Sequence, residues 1–504
     1  MIKRFLILIG IASLPFISED SFNSAHAQGL YGLQNSNFSG IHNAYTNPAH
    51  LTTLAYRRHS NLSTFALSVD NNYYSIETPY PLFKLATGNV PNQYKNANGK
   101  VAWNPSYLVA DNSVKSVWGN INMEWRGPSY AKRLGRRLVF GYGVRTRANM
   151  SVKDVNPEMA KWINSLADTN NIQNLLGGTN FPLNFQANAY QEISGSLSFN
   201  IINIGGFRAA IGGTAKYLMG LGHMSMINTG TDIQTFGRDS IRINQSNIQI
   251  AYSDPQFMSR FTNGIFGGTL PALSSVIGGG FGFDVGILLE GGNKNKVEGI
   301  VERWIIPDVN IRDYSWKVAA SITDIGTMNY GQEISRYSAS NTTPVTLPLD
   351  TALAKAFLAS NEVGLKYLES FAEKNMNFKK ETTSLPFALP TMLQVQGDFR
   401  ILPTLYLAVH WQQSLVNAKA LGFRNPSSLV LVPRLEMAWF ECSLPVSLTQ
   451  DYKRGAVGGF LRVGPVFIGS DNLVTTVLTN KARGFNLYFG VSGGIKNPKR
   501  TARG

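Results

Sequence analysis

Apolar and polar residues alternate along most of this chain. Between Leu138 and Ala148, the residues Leu138, Phe140, Tyr142, Val144, Thr146 and Ala148 share one face; Val139, Gly141, Gly143, Arg145 and Arg147 share the other. A β-strand sends successive side chains to opposite faces, so this stretch predicts a strand with one apolar side. The next segment repeats the pattern, with Ile193, Leu197, Phe199 and Ile201 alternating with Glu192, Ser194, Ser196, Ser198 and Asn200. Asn203-Ile204-Gly205-Gly206 predicts a tight turn, after which Phe207, Ala209, Ile211, Ala215 and Tyr217 return against Arg208, Gly212, Thr214 and Lys216. The two runs make one hairpin. Comparable alternation marks Phe281 to Glu290, Trp316 to Thr323, Leu393 to Phe399, Leu405 to Gln412, Leu429 to Trp439 and Phe485 to Ser492. The whole pattern amounts to about 12 to 16 strands.

Composition decides what such strands are for. The 504 residues include 48 Gly, 28 Phe, 20 Tyr and 8 Trp, with 15% charged residues, against roughly 25% in soluble domains. The mean hydropathy is nevertheless close to zero. A helical membrane protein needs runs of ~20 apolar residues, and beyond the N-terminus the sequence has none. A transmembrane β-barrel reconciles these facts, because lipid-facing and lumenal residues alternate and the average cancels. A soluble sandwich also alternates. Long segments, Trp and Tyr near their ends, and an export signal favour the barrel, with an even strand number. Backbone amides in lipid lack water, so only closure satisfies every edge.

Charges on the polar faces then belong to the lumen. Arg145, Arg147, Glu192, Arg208, Lys216, Asp284, Glu290, Asp398, Arg434 and Glu436 are predicted to form an ion-pair network there, since buried charges require partners.

The N-terminus carries Lys3 and Arg4, an apolar run from Phe5 to Ile17, and Ala25-His26-Ala27 before Gln28. This is the pattern of a secretory signal peptide over residues 1–27, cleaved near Ala27 after Sec-type export. The formal charge of +15 suits contacts with anionic lipid phosphates, or a lumen that favours anions. No nucleic-acid-binding motif accompanies it. The single Cys442 excludes a disulfide framework. His42, His50, His59, His223 and His410 lack metal-ligand spacing. Gly278-Gly279-Gly280-Phe281-Gly282 leads into a strand rather than a helix, which argues against a phosphate loop. No GxSxG or P-loop occurs. The sequence therefore predicts neither enzyme, metal nor cofactor.

Several stretches interrupt the alternation. Asn156 to Leu176 has a helical pattern through Met159, Trp162, Ile163 and Leu166, and Pro255 to Val276 is apolar with Gly and Pro. The largest interruption runs from about 329 to 387. It contains a helix that Asp350 would cap, carrying Leu353, Ala356, Phe357 and Leu358, and a second with Val363, Tyr367, Leu368 and Phe371. These are predicted external loops. Before the first strand, GIHNAYTNPAHLTT (Gly40 to Thr53) reads as a short helix over Pro48 to Leu54. Asn47 is its cap and Pro48 its first residue.

Asn47-Pro48-Ala49, Phe281-Gly282-Phe283-Asp284-Val285-Gly286, Ala319-Ala320-Ser321-Ile322-Thr323-Asp324-Ile325-Gly326 and Gly464-Pro465-Val466-Phe467-Ile468-Gly469-Ser470-Asp471-Asn472-Leu473-Val474 follow one another in that order. Together they resemble an uncharacterised family of Bacteroidota-type outer-membrane barrels related to PorV and FadL. The resemblance spans nearly the whole mature chain. It implies an all-β transmembrane antiparallel barrel of about 14 strands over residues 58–494, with a lumenal plug from residues 28–57. FadL-like members pass apolar small molecules, so outer-membrane lipid and a hydrophobic ligand are the implied partners. PorV-like members imply secretion or surface-complex proteins instead. The basic tail 495–504, with Lys496, Lys499, Arg500 and Arg503, departs from barrels that end on an aromatic residue.

Overall fold

The computed structural model describes residues 29–495 except 35, 103, 135–136, 159–178, 181, 205, 236–239, 254–275, 293–313, 349–360, 417–423 and 475–478. Strands account for 66% of it and close into an antiparallel barrel of 14. They are β1 (Arg58–Asn71), β2 (117–133), β3 (Leu138–Val155), β4 (Leu183–Ile204), β5 (Phe207–Asn228), β6 (240–252 with 278–291) and β7 (Trp316–Asn341), followed by β8 (377–388 with 392–402), β9 (Leu405–Ser414), β10 (Ser428–Glu436), β11 (440–449), β12 (454–463), β13 (Val466–Ser470) and β14 (Gly484–Ile495). β1 closes the wall. Arg58 to Asp70 pair with Ile495 to Gly484 on one side, and Thr64 to Asn71 pair with Arg126 to Gly119 on the other. No backbone edge is then left to face lipid. No described helix is long and apolar enough to cross a membrane.

Three wall strands are broken at prolines. Pro128 splits β2, Pro390 splits β8 and Pro445 splits β11. Proline has no N–H to give a ladder, so pairing lapses and resumes beyond it. In β8, Ala388 lies opposite Thr327 and Met392 opposite Thr323 of the same neighbour. β6 is split differently: Tyr252 pairs with Met224, and pairing resumes with Gly278 opposite Gly220.

The connections differ by rim. Gly206, 403–404, 437–439 and 464–465 make short turns on the rim where Arg58 and Ile495 lie, and Gly291 and Trp316 end their strands on the same rim. The opposite rim bears 72–116, 156–182, 342–376, 415–427 and 471–483. Short turns mark the periplasmic side of a bacterial barrel and long loops the outside. Outward residues near the short-turn rim are strongly exposed: Phe281 63%, Phe283 52%, Ile287 53%, Leu197 55% and Trp439 63%. A continuous apolar belt of this size belongs in lipid.

Crossing needs ~9–11 residues, yet β4 and β5 have 22 residues each and β7 has 26. They continue beyond the bilayer on the long-loop side. This corrects the predicted interruption at 329–387. β7 runs on to Asn341 and β8 starts at Asn377, so the insertion shrinks to 342–376, with a short strand Val345–Pro348 and a helix Asn361–Asn375. Toward the long-loop rim Ile334 and Tyr337 stay buried, but Ser335, Ser338 and Ser340 leave no regular apolar alternation to reveal the strand. The helix spans Val363, Tyr367, Leu368 and Phe371. The long loop 72–116 contributes to a small three-stranded sheet (Tyr74–Glu77, Leu108–Ala110, Lys481–Ala482) that the alternation did not predict. The signal peptide, most of the helical stretch at 156–176, 255–275, the helix that Asp350 would cap, and the tail beyond Ile495 lie outside the described residues.

Candidate functional site

The N-terminal segment runs inside the barrel. It has a helical turn at Tyr31–Gln34 and 3₁₀ turns at Gly40–Tyr45 and Pro48–Thr53, almost entirely buried. Wall strands hold it from all round. The Tyr31 hydroxyl lies 2.8 Å from that of Ser428 on β10, Arg133 on β2 donates to the Thr52 carbonyl at 3.0 Å, Ser198 on β4 to that of Pro48 at 2.6 Å, and Ser321 on β7 to that of Thr46 at 2.6 Å. We call this segment the plug.

Asn47 is extended (φ −155°) and its Oδ1 accepts from the Ala49 N–H at 2.9 Å, which caps the Pro48 turn. The predicted short helix is a 3₁₀ turn that ends at Thr53, with Leu54 as its C-cap. The same side chain donates from Nδ2 to the carbonyls of Ile287 on β6 and Ala320 on β7, both at 3.1 Å. Among short side chains the amide supplies two N–H donors beside a separate carbonyl acceptor, which these three bonds use. Room comes from two wall glycines. A Cβ at Gly286 would lie 2.1 Å from Asn47 Oδ1, and one at Gly212 would lie 2.4 Å from the Ala49 nitrogen.

Above the plug, toward the long-loop rim, lies a cavity of about 880 Å³. Its floor includes Tyr31, Gln34, Tyr45 and Thr46 of the plug. Its walls combine Asp70, Asn120, Asn122, Glu124, Arg126, Arg145, Arg147, Asn149, Lys153, Asp324, Gln394 and Gln412 with Trp118, Leu183, Ile227 and Met392. The lining is thus mixed, where family resemblance implied an apolar path. Two guanidiniums lie over the Tyr45 ring, Arg126 at 4.5 Å and Arg145 at 4.8 Å, a favourable cation–π arrangement. Beneath the plug, Gln34, Asn43, His50, Lys317, Gln396 and Asp398 enclose only about 10 Å³.

The ten charged residues named from the sequence are all buried, in three groups. Arg145 pairs with Glu192, and Lys216 with Asp284 at 2.6 Å. Arg208 pairs with Glu290 near the short-turn rim. Arg434 bridges Asp398 at 2.7 Å and Glu436 at 2.6 Å, and Lys317 joins Asp398 at 3.2 Å. Such burial is tolerable only because each charge finds a counter-charge.

Asp324 is the member the alternation missed. It accepts from Arg147 at 2.8 Å, from Arg145 at 3.3 Å and from Lys216. By strict alternation Asp324 should point outward beside Thr323. A bulge opposite Asp284 and a left-handed backbone (φ 56°) turn it inward. Thr-Asp-Ile-Gly was the available signal, since Asp and Gly tolerate that conformation. Glu124, Arg126, Lys317, Glu441 and Arg462 also join the network.

The C-terminal motif anchors the plug's entry. Gly464 (φ +58°) and Pro465 form the turn from β12 to β13. A Cβ at Gly469 would strike the Tyr488 ring at 2.5 Å. Asp471 Oδ1 accepts from the Tyr31 N–H at 3.1 Å and from the Tyr488 hydroxyl at 3.2 Å. Ser470 bonds to Asn472, whose Oδ1 accepts the Asn486 N–H at 3.2 Å. Sequence order alone hides that residues 31 and 471 meet.

Among the described residues no group of His, Cys, Asp and Glu has the arrangement of a metal site. The plug histidines are buried instead. Burial, then the neighbouring Lys317, holds His50 down at about 3, so it stays neutral.

Comparisons with solved structures return outer-membrane barrels at low similarity. The toluene transporter TbuX of Ralstonia pickettii is 8% identical with a TM-score of 0.40, over 94% of this chain and 97% of that one. A FadL homologue of Pseudomonas aeruginosa is 11% identical with a TM-score of 0.38, over 95% and 98%. The toluene transporter TodX of Pseudomonas putida is 8% identical with a TM-score of 0.32, over 94% of each chain. No curated protein matches the sequence. The family model DUF5723 does match it, over residues 48–471, and the chain belongs to that family, described as one of unknown function.

Proposed function

We propose that this protein is a non-enzymatic barrel of the outer membrane that binds a small amphipathic molecule and passes it when the plug yields. The observation that carries this reading is the vestibule of about 880 Å³, open toward the long-loop side and floored by the plug. That volume suits one small ligand. Trp118, Leu183, Ile227 and Met392 would receive its apolar part, and the arginines and amides its polar part. The resemblance to FadL-type barrels agrees with an apolar body. Export by the signal peptide 1–27, cleaved near Ala27, belongs to the same proposal. Nothing among the described residues favours a secretion or surface-complex partner.

The test uses the barrel in lipid nanodiscs. Trp118 emission is followed during titration with short amphipathic carboxylates, aromatic hydrocarbons and uncharged sugars, with Trp118→Phe as control. A saturable response to a carboxylate or hydrocarbon supports the vestibule as the site. No saturable response to any of them removes it.

A further inference from the structure

Two plug-to-wall hydrogen bonds meet in one buried cluster, and both end on an imidazole. His42 belongs to the plug and is 0% exposed; His59 belongs to β1 and is 1% exposed. Their rings stand edge to face with centroids 6.3 Å apart. His42 Nδ1 lies 3.3 Å from Nη1 of Arg126 on β2. A guanidinium only donates, so His42 must accept. His59 Nδ1 accepts the backbone N–H of Ile41, in the plug, at 3.2 Å. A backbone N–H is likewise an obligatory donor. Both bonds therefore require an unprotonated Nδ1, and an imidazolium, which donates from both nitrogens, breaks each of them.

We propose that His42 and His59 form a proton-sensitive latch that holds the plug to the wall while both rings are neutral and releases it on acidification. This rests on the reading of the N-terminal segment as a gate.

The surroundings offer an imidazolium no uncommitted carboxylate. Arg126 pairs with Glu124 at 2.6 Å. On the His59 side stand Arg462 and its partner Glu441, 3.0 Å apart, with the Tyr56 ring 5.3 Å from His59. Glu441 also accepts from Ser36 of the plug at 2.7 Å. Asn61 and Phe467 complete the shell around His42. Both carboxylates are thus committed to arginines, and a proton on either ring adds a cation to a cluster that already holds two. Burial first, then Arg126, keeps His42 well below the usual histidine range. Linkage sets the direction. A group neutral in the latched state and ordinary when released favours release as pH falls below its free value. With a free value near 6.5, each histidine shifts the equilibrium by roughly 30-fold at pH 5.0.

The experiment places a cysteine at plug position 44 (Ala44→Cys) in a Cys442→Ser background and measures thiol labelling of the folded barrel in nanodiscs. Rates are divided by those of an exposed reference, Asn98→Cys, so that the thiol's own pH dependence cancels. The ratio should rise by at least about 30-fold between pH 7.5 and 5.0. His42→Gln with His59→Gln keeps a carbonyl acceptor without titrating, and the ratio should stay flat; each single variant should retain part of the rise. Heat-modifiable gel migration confirms that each variant is folded. A flat ratio in the native chain, or an equal rise in the double variant, overturns the latch. Planar-bilayer conductance at the same pH values separates the two readings. Labelling that rises without conductance keeps the latch and overturns the gate. Conductance that ignores pH while labelling stays flat overturns the latch and leaves the gate.

Discussion

Replacing Asn47 with alanine should free the plug without unfolding the barrel. The substitution removes the cap bond to the Ala49 N–H and the two bonds donated to the Ile287 and Ala320 carbonyls. A lost cap costs ~1 kcal/mol, and each of the other bonds contributes about 1 kcal/mol net. The total of about 3 kcal/mol corresponds to roughly 100-fold in the docking equilibrium. Those two carbonyls belong to paired strands, Ile287 opposite Ala320, whose ladder does not depend on Asn47. Barrel melting should therefore change little while leak increases. Single-channel recording in planar bilayers reads the open probability, and thermal unfolding reads the wall. Asn47→Asp refines the test. It keeps the capping oxygen but sets a carboxylate against two carbonyls, so it should leak at least as much as Asn47→Ala. If Asn47→Asp matches the native chain, the side chain only caps a turn. If neither variant changes conductance or plug protection from protease, the pinning argument is refuted.

Three other outcomes follow from the same geometry. Gly286→Ala places a Cβ against Asn47 Oδ1; it should leak like Asn47→Ala, and a double-mutant cycle should show the two effects to be non-additive. Asp324→Asn leaves Arg145, Arg147 and Lys216 short of a buried counter-charge; a loss of about 3–5 kcal/mol should lower the melting temperature and the yield of folded barrel on gels. On the long-loop rim, the hydrogen bond from Ser113 and then the Arg483 guanidinium hold Asp111 down at about 2. Its stabilisation of that loop is present above about pH 4 and lost as pH falls toward 2, so proteolytic nicking of residues 72–116 should rise over that window and rise less in Asp111→Asn, where only the Glu77–Lys481 pair of the same sheet still titrates.

How much of this could be read from residues depends on how local each feature is. Alternation is a property of neighbours, so strands such as Leu138–Val155 and the hairpin around Gly206 stand out in the sequence. So does the side of the wall on which Arg145, Glu192 or Glu436 falls. Toward the long-loop rim the signal fades, because Ser335, Ser338, Lys379 and Lys380 break the regular outward apolar positions; the upper parts of β7 and β8 read as loop for that reason. Glu124 and Arg126 escaped notice because Pro128 interrupts β2 just after them. Asp324 escaped because a bulge reverses its side, and a bulge depends on what the neighbouring strand does.

Composition, period-two patterning and the Asn-Pro dipeptide were enough to specify a closed β-barrel preceded by a capped turn, since each follows from local sterics and the cost of wetting apolar surface. Which charges pair, that Tyr31 meets Asp471, that Asn47 reaches carbonyls on β6 and β7, and that His42 and His59 share one pocket were settled only by closure of the wall around the plug. Those contacts join residues far apart in the chain, and no short-range rule of sequence records them.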